Sequence, residues 1–138
     1  MALYQPIEKY IAAIRLTRGF KTLLPFGYTL GAGGTVTQAT SRTTGVTLNK
    51  LTGQITTNTA SLAAEAAAEF TVTNSQVAAG DVVIVSATGA NSGMTAVYVS
   101  GIAAGSFKIT VANNNAAAGT AETAAIVINF VVIKGSVS

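Results

Sequence analysis

The stretch SFKITVA, residues 106–112, decides the fold class because apolar and polar side chains alternate along it. Phe107, Ile109 and Val111 share one face, whereas the other face carries lysine and threonine. Side chains of a β-strand point alternately to opposite faces, so this pattern predicts a strand with one buried face. We therefore expect Phe107, Ile109 and Val111 to point into a hydrophobic core.

Further short runs with the composition of strands lie on both sides of this stretch. They are residues 35–40, 45–49, 54–57, 69–73, 81–87, 94–100 and 122–134. Turns are expected between them, among others at residues 50–53 and 101–105. Short strands at a spacing of roughly 8–12 residues predict an all-β, antiparallel β-sandwich. The expected core residues are Phe70, Val72, Val83, Val85, Val97, Val99, Phe107, Ile109, Val111, Ile128, Phe130 and Val132.

Three segments leave alternatives open. Residues 81–87 and 124–133 are apolar runs, and such runs carry no clear period from which an inward face can be assigned. Residues 61–69, SLAAEAAAE, have strong helix propensity, with Glu65 and Glu69 four positions apart. The same residues fit an extended edge strand equally well, so helix and strand both remain open.

Charged residues are scarce in this chain. Only 9% of its residues are charged and 49% are hydrophobic, whereas soluble domains typically carry about 25% charged residues. Alanine, threonine and glycine make up the difference, and a surface of such residues loses its water at little cost. This composition favours burial against other protein, so we expect the chain to work within an assembly.

The basic residues are concentrated near the start of the chain. Residues 1–50 contain six basic side chains and one acidic, a net charge of +5, whereas residues 51–138 contain two basic and four acidic, a net charge of −2. The GAGG segment, residues 31–34, marks a flexible joint, and both prolines precede it. We expect an N-terminal arm over residues 1–33 and a β-sandwich domain over residues 34–138. A basic arm on a nearly neutral body suggests contact with an acidic surface.

The arm carries the candidate binding residues, because tyrosine and arginine are favoured anchors of protein interfaces. The candidates are Tyr4, Ile7, Tyr10, Ile11, Arg15, Arg18, Phe20 and Lys21. One face of a short helix that begins at Pro6 would carry Ile7, Tyr10, Ile11 and Ile14, and an extended segment fits as well. Binding to a partner subunit and packing on the chain's own sandwich both remain open.

The residue types that carry most enzyme chemistry are missing from the sequence. The chain contains no histidine and no cysteine, which removes the most common general base and the usual zinc ligands. Five carboxylates remain, and Glu65 with Glu69 is the only pair that lies close in sequence. We therefore expect no enzyme activity, no cofactor and no metal site.

Nucleic-acid and membrane partners are disfavoured as well. Four basic residues spread over residues 9–21 are a weak signal for nucleic acid. The longest nearly uninterrupted apolar stretch, residues 124–133, is far shorter than the roughly 20 residues of a membrane-spanning helix. The expected partners are other proteins, with no nucleic acid and no membrane.

Four stretches of the chain carry a family resemblance. They are GTVTQATSRTTGVTLNKLTGQITTNTASLAA at 34–64, EFTVTNSQVAAGDVVIVS at 69–86, AAGSFKITVANN at 103–114 and VIKG at 132–135. Together they resemble a β domain of virion structural proteins of tailed bacteriophages. With its short basic arm, the whole chain is similar to the capsid cement (decoration) proteins, in particular those of short-tailed Bordetella phages. These motifs are strand and turn signatures, and no arm residue is carried over from that family.

The resemblance implies a jelly-roll-like sandwich and a role in capsid stabilisation. The chain would bind the major capsid protein on the outer capsid surface of the virion, as a homodimer in many copies, after synthesis in the host cytoplasm. One alternative is a phage tail or fibre module for host attachment, since the same domain type occurs there. A carbohydrate-binding sandwich is a weaker alternative, because it needs exposed aromatic residues and the chain has no tryptophan.

Overall fold

The computed structural model describes residues 27–135 of the chain, and within that range it contains strands, turns and loops but no helix. The strands are β1 (Thr35–Thr37), β2 (Val46–Thr47), β3 (Thr52–Thr56), β4 (Ala67–Thr73), β5 (Val82–Thr88), β6 (Thr95–Ala103), β7 (Ser106–Asn113) and β8 (Val127–Ile133). The central stretch SFKITVA lies in β7. Every predicted strand overlaps one of these elements, which confirms the all-β prediction.

The strands form two four-stranded sheets that pack face to face as a sandwich. The first sheet has the order β1-β3-β8-β5, and the second has the order β2-β4-β7-β6. Four ladders are antiparallel, as predicted, but β1 pairs with β3 and β2 pairs with β4 in parallel. The chain crosses from one sheet to the other after each of its first five strands. The chain reverses its direction at each crossing. Two crossings separate β1 from β3, and two separate β2 from β4, so each of these pairs runs in parallel.

The core lies between the sheets and confirms the predicted inward faces. Of the twelve predicted core residues, nine are buried, and Val85, Val97 and Val99 are partly buried. These three lie on β5 and β6, which are the edge strands of their sheets and have a neighbour on one side only. The rings of Phe107 and Phe130 contact each other across the sandwich, with centroids 5.3 Å apart. The core also includes Val46, Ile55, Leu62, Ala68, Val77 and Ile126.

The segment that left helix and strand open forms neither over most of its length. Leu62 is buried and makes an isolated bridge with Glu122. Glu65 then adopts a left-handed backbone conformation with φ of 61°, which ends any helix and turns the chain into β4. The helix propensity of the alanines is overridden because Leu62 is held by its partner on the other side of the fold.

Two predicted turns are shorter in the structure. Thr52 and Gly53 of the expected 50–53 turn belong to β3. Of the 101–105 turn, only Ala104 and Gly105 lie outside the strands, and Gly105 has a φ of 80° that favours glycine. Pairing with neighbouring strands extends β3 and β6 beyond what their local sequence indicates.

We expect Phe107→Ala to lower the free energy of unfolding by about 3–5 kcal/mol, because it empties the volume between the sheets that the ring fills. The matched control is Thr71→Ala on the outer face of β4, where we expect a change within about 0.5 kcal/mol. Chemical denaturation of both variants measures the difference. Equal midpoints for Phe107→Ala and the unmodified chain would contradict the core described here.

Candidate interaction surface

The eight arm residues predicted to bind a partner lie before the described part of the chain. They are Tyr4, Ile7, Tyr10, Ile11, Arg15, Arg18, Phe20 and Lys21. Their role therefore stays a prediction, and so do the arm's boundary at residue 33 and its choice between helix and extended chain.

The outer face of the first sheet carries no charged side chain on its four strands. Strand alternation, fixed by buried Ile55, Ile128 and Val83, sets which residues face outward. Those residues are Thr35, Thr37, Thr52, Gln54, Thr56, Val82, Ile84, Ser86, Thr88, Val127, Asn129, Val131 and Ile133. Near the centre of the face, the Gln54 side-chain amide donates to the Asn129 side-chain oxygen at 2.9 Å. We call this surface the uncharged face.

One end of the uncharged face is apolar. Val82 lies opposite Ile133, and Ile84 lies opposite Val131, in the β5–β8 ladder. Val82, Ile84 and Ile133 are 53%, 51% and 48% exposed, and Val131 is partly buried. We call these four residues the apolar patch. The sequence analysis did not identify it, although apolar residues at consecutive positions of β5 and β8 are a signal that both faces of the sheet are apolar.

The first described residues of the chain lie beside this patch. The hydroxyl of Tyr28 donates a hydrogen bond to the carbonyl oxygen of Val132. Together with Gly27, Val131, Ile133 and Lys134, the Tyr28 side chain lines a groove of about 450 Å³. Gly27 and Tyr28 therefore lie beside β8, at the apolar end of the uncharged face.

The outer face of the second sheet is different, because it carries an ion pair. Lys108 contacts Glu69 at 2.7 Å, and the hydroxyl of Ser100 donates to the same carboxylate at 2.8 Å. The hydrogen bond from Lys108, followed by that from Ser100, holds the pKa of Glu69 below its usual value. Tyr98 on this face is 49% exposed. The two outer faces thus differ in charge.

A buried carboxylate organises the loops at one end of the sandwich. Glu122 is fully buried, and its oxygens accept hydrogen bonds from the Thr95 hydroxyl at 2.6 Å and from the backbone N–H groups of Asn91, Ser92 and Ala124 at 3.0, 3.2 and 2.9 Å. Burial raises the pKa of Glu122, but these hydrogen bonds outweigh it and hold the pKa below its usual value.

Arg42 completes this cluster from the other side. Its guanidinium donates to the carbonyl oxygens of Glu122 and Ala124 at 3.2 and 2.8 Å, to the Thr57 hydroxyl at 3.2 Å and to the carbonyl oxygen of Ala60. Arg42 is only 3% exposed. Burial lowers the pKa of its side chain, and the charge of Glu122 opposes that effect. Sequence analysis did not identify this role, because the partners of Arg42 lie up to 82 positions away.

Asp81 closes the opposite end of the β5–β8 ladder. Its carboxylate accepts from the N–H groups of Ala78 and Gly135 at 2.8 and 3.1 Å and contacts the ammonium group of Lys134. The hydrogen bond from Ala78, followed by that from Lys134, holds the pKa of Asp81 below its usual value. Asp81 and Glu122 are thus buried carboxylates whose hydrogen bonds hold the fold, whereas Glu69 forms an exposed ion pair.

No group of three or more histidine, cysteine, aspartate or glutamate residues in the described range 27–135 could hold a metal ion. A search of that same range finds no helix with the length and hydropathy needed to cross a membrane. Comparison of the chain with models of protein families, with curated proteins and with solved structures finds no match.

We expect the stability of this protein to fall as the pH drops below about 4.3, the unfolded-state pKa of glutamate. The folded-state pKa values of Glu122 and Asp81 are lowered. Their carboxylates therefore stabilise the fold above the unfolded pKa, and that stability is lost as the pH falls through the folded pKa.

Glu122→Gln should lower the free energy of unfolding at pH 7 by about 3 kcal/mol, because buried donors lose a charged acceptor. It should also flatten the dependence of stability on pH below about 4.3. The control is Glu69→Gln in the exposed pair, for which we expect little change. Denaturation curves between pH 7 and pH 3 measure both effects, and an unchanged pH dependence in Glu122→Gln would refute the role given to Glu122.

Proposed function

We propose that this chain is a structural protein of a bacteriophage virion that binds the outside of the head and cements neighbouring major capsid subunits. It acts through protein contacts, without catalysis and without a cofactor. The observation that supports this proposal best is the uncharged face, taken together with the resemblance of the sequence to capsid cement proteins.

The uncharged face has the chemistry of a surface that is covered by protein. Charged side chains cost several kcal/mol each to remove from water, as an order of magnitude, whereas threonine and apolar side chains cost far less. Interfaces are depleted of charge at their centres and keep polar groups that can form hydrogen bonds. The face offers hydroxyl groups on β1 and β3 and amides at Gln54 and Asn129.

The basic arm adds a second contact to this surface. Tyr28 contacts β8 at the edge of the uncharged face, so the arm is attached beside the surface that we propose to face the capsid. The arm residues, with Arg15 and Arg18 among them, supply positive charge and large side chains for carboxylates and hollows on a capsid subunit.

Multivalency can give a high overall affinity even when each single contact is weak. A homodimer that holds two capsid subunits makes its second contact intramolecular, which raises the overall affinity without a new contact. The edge strands β1, β2, β5 and β6 carry few charges and no proline, so they lack the usual protection against pairing with a second copy. In this proposal the dimer straddles a junction between subunits, and opening the shell requires several contacts to break together.

The proposal is tested by adding variants to shells from which the native copies have been removed. Deletion of residues 1–22 removes all eight candidate arm residues. We expect this variant to fold but to bind shells at least tenfold more weakly, a loss of about 1.4 kcal/mol. Added salt should weaken the binding of the full chain through screening of the arm charges.

The uncharged face is tested in the same assay with Gln54→Lys and Gln54→Glu. Both signs of charge should weaken binding, because either charge must be desolvated at the interface. Thr71→Lys and Thr71→Glu on the second sheet are the matched controls and should bind as the full chain does. Unchanged binding of the deletion and of both Gln54 variants would contradict the proposal, and binding to tails in place of shells would favour the alternative of a tail or fibre module.

A further inference from the structure

The apolar patch consists of neighbouring apolar side chains that are exposed to solvent. Val82, Ile84 and Ile133 each expose about half of their side chains, at 53%, 51% and 48%, and they adjoin Val131 in the ladder. No charged residue lies among the outward positions of β5 and β8 to interrupt the patch. Contiguous exposed apolar residues of this kind mark a surface that another segment covers.

The position of Gly27 indicates which segment that is. Gly27 and Tyr28 already line the groove over Val131 and Ile133, so the residue before Gly27 is attached at the edge of the patch. The four residues that precede Gly27 are Leu23, Leu24, Pro25 and Phe26. Three of them are large apolar residues, and they are joined directly to Gly27 along the chain.

We propose that residues 23–26, Leu-Leu-Pro-Phe, of the same chain dock on the apolar patch and cover it. An extended segment of four residues spans about 13 Å. The patch measures about 5 Å across its two strands and about 7 Å along each strand. The segment therefore reaches every side chain of the patch from its attachment at Gly27.

Residues 23–26 of the same chain are favoured over a second copy as the occupant of the patch, because they are joined covalently to Gly27 beside it. A segment joined directly to the edge of its site has an effective concentration on the order of millimolar or above. A second copy would have to reach that concentration to compete. The hydrogen bond from Tyr28 to the carbonyl oxygen of Val132 strengthens this argument, because it fixes the point at which the segment leaves the sandwich.

This inference does not depend on the proposed function. It makes residues 23–26 the root of the arm and leaves residues 1–22 to contact a partner. Residues 23–26 would then form an additional layer over the patch. The rest of the uncharged face would lie next to this layer, beside the start of the partner-binding part of the arm. The sequence analysis left open whether the arm packs on its own sandwich or binds a partner. In this proposal residues 23–26 pack on the sandwich, and residues 1–22 bind the partner.

Thiol labelling tests the inference cleanly, because the chain has no cysteine of its own. Ile84→Cys places a thiol in the patch, and Thr71→Cys places one on the outer face of the second sheet. Each labelling rate is divided by the rate of the same variant in denaturant, which removes differences in intrinsic reactivity. We expect Ile84→Cys to react at least fivefold more slowly than Thr71→Cys on this scale.

A second variant shows what covers the thiol. Replacing Leu23, Leu24 and Phe26 with serine in the Ile84→Cys protein should raise its labelling rate to that of Thr71→Cys. The protection should be the same at 1 µM and at 50 µM protein if the segment belongs to the same chain. Protection that disappears on dilution would assign the site to a second copy and overturn the proposal. Equal rates for the two cysteine variants, or protection that survives the serine replacements, would overturn it as well.

Discussion

The buried carboxylate of Glu122 is the constraint on which one end of this sandwich depends. Its side chain collects the N–H groups of Asn91 and Ser92 and the hydroxyl of Thr95, while its backbone pairs with Leu62 in both directions at 2.9 Å. Arg42 donates to the carbonyl oxygen of Ala124 and, together with the N–H of Leu62, to that of Glu122. A charge in such a place is costly unless its hydrogen bonds are complete. Because they are complete here, loops from four distant parts of the sequence are held in one arrangement.

With that end fixed, the two sheets present two different outer faces. The second sheet has an ion pair and a shell of polar side chains, as the surface of a soluble protein usually does. The first sheet has hydroxyl groups, amides and an apolar patch, and none of its outward residues is charged. This asymmetry supports the proposal that the first sheet forms an interface.

Local pattern was sufficient to predict the strands and most of the core. Phe107, Ile109 and Val111 follow the period of a half-buried strand, and all three are buried. The relative direction of the strands was harder to predict. The parallel pairing of β1 with β3 results from crossings between the sheets, and these leave no mark on the local sequence pattern.

The candidate surface was harder to predict than the fold. The apolar patch was not predicted, because β5 and β8 contain consecutive apolar residues. Such a run does not show which side chains point inward and which point outward. The burial of Arg42 and Glu122 could not be predicted from local sequence, because it depends on partners as many as 82 positions away. The arm residues lie outside the described range, so their part in binding rests on composition and on the place where Tyr28 enters the fold.

The copy number of this chain in purified particles is the sharpest test of its proposed role as a cement protein of a phage head. Quantitative mass spectrometry can compare the amount of this chain with that of the major capsid protein. A cement protein that bridges capsid subunits over the whole shell predicts a ratio near one copy per capsid subunit. A handful of copies per particle would contradict the claim and would place the chain in the tail.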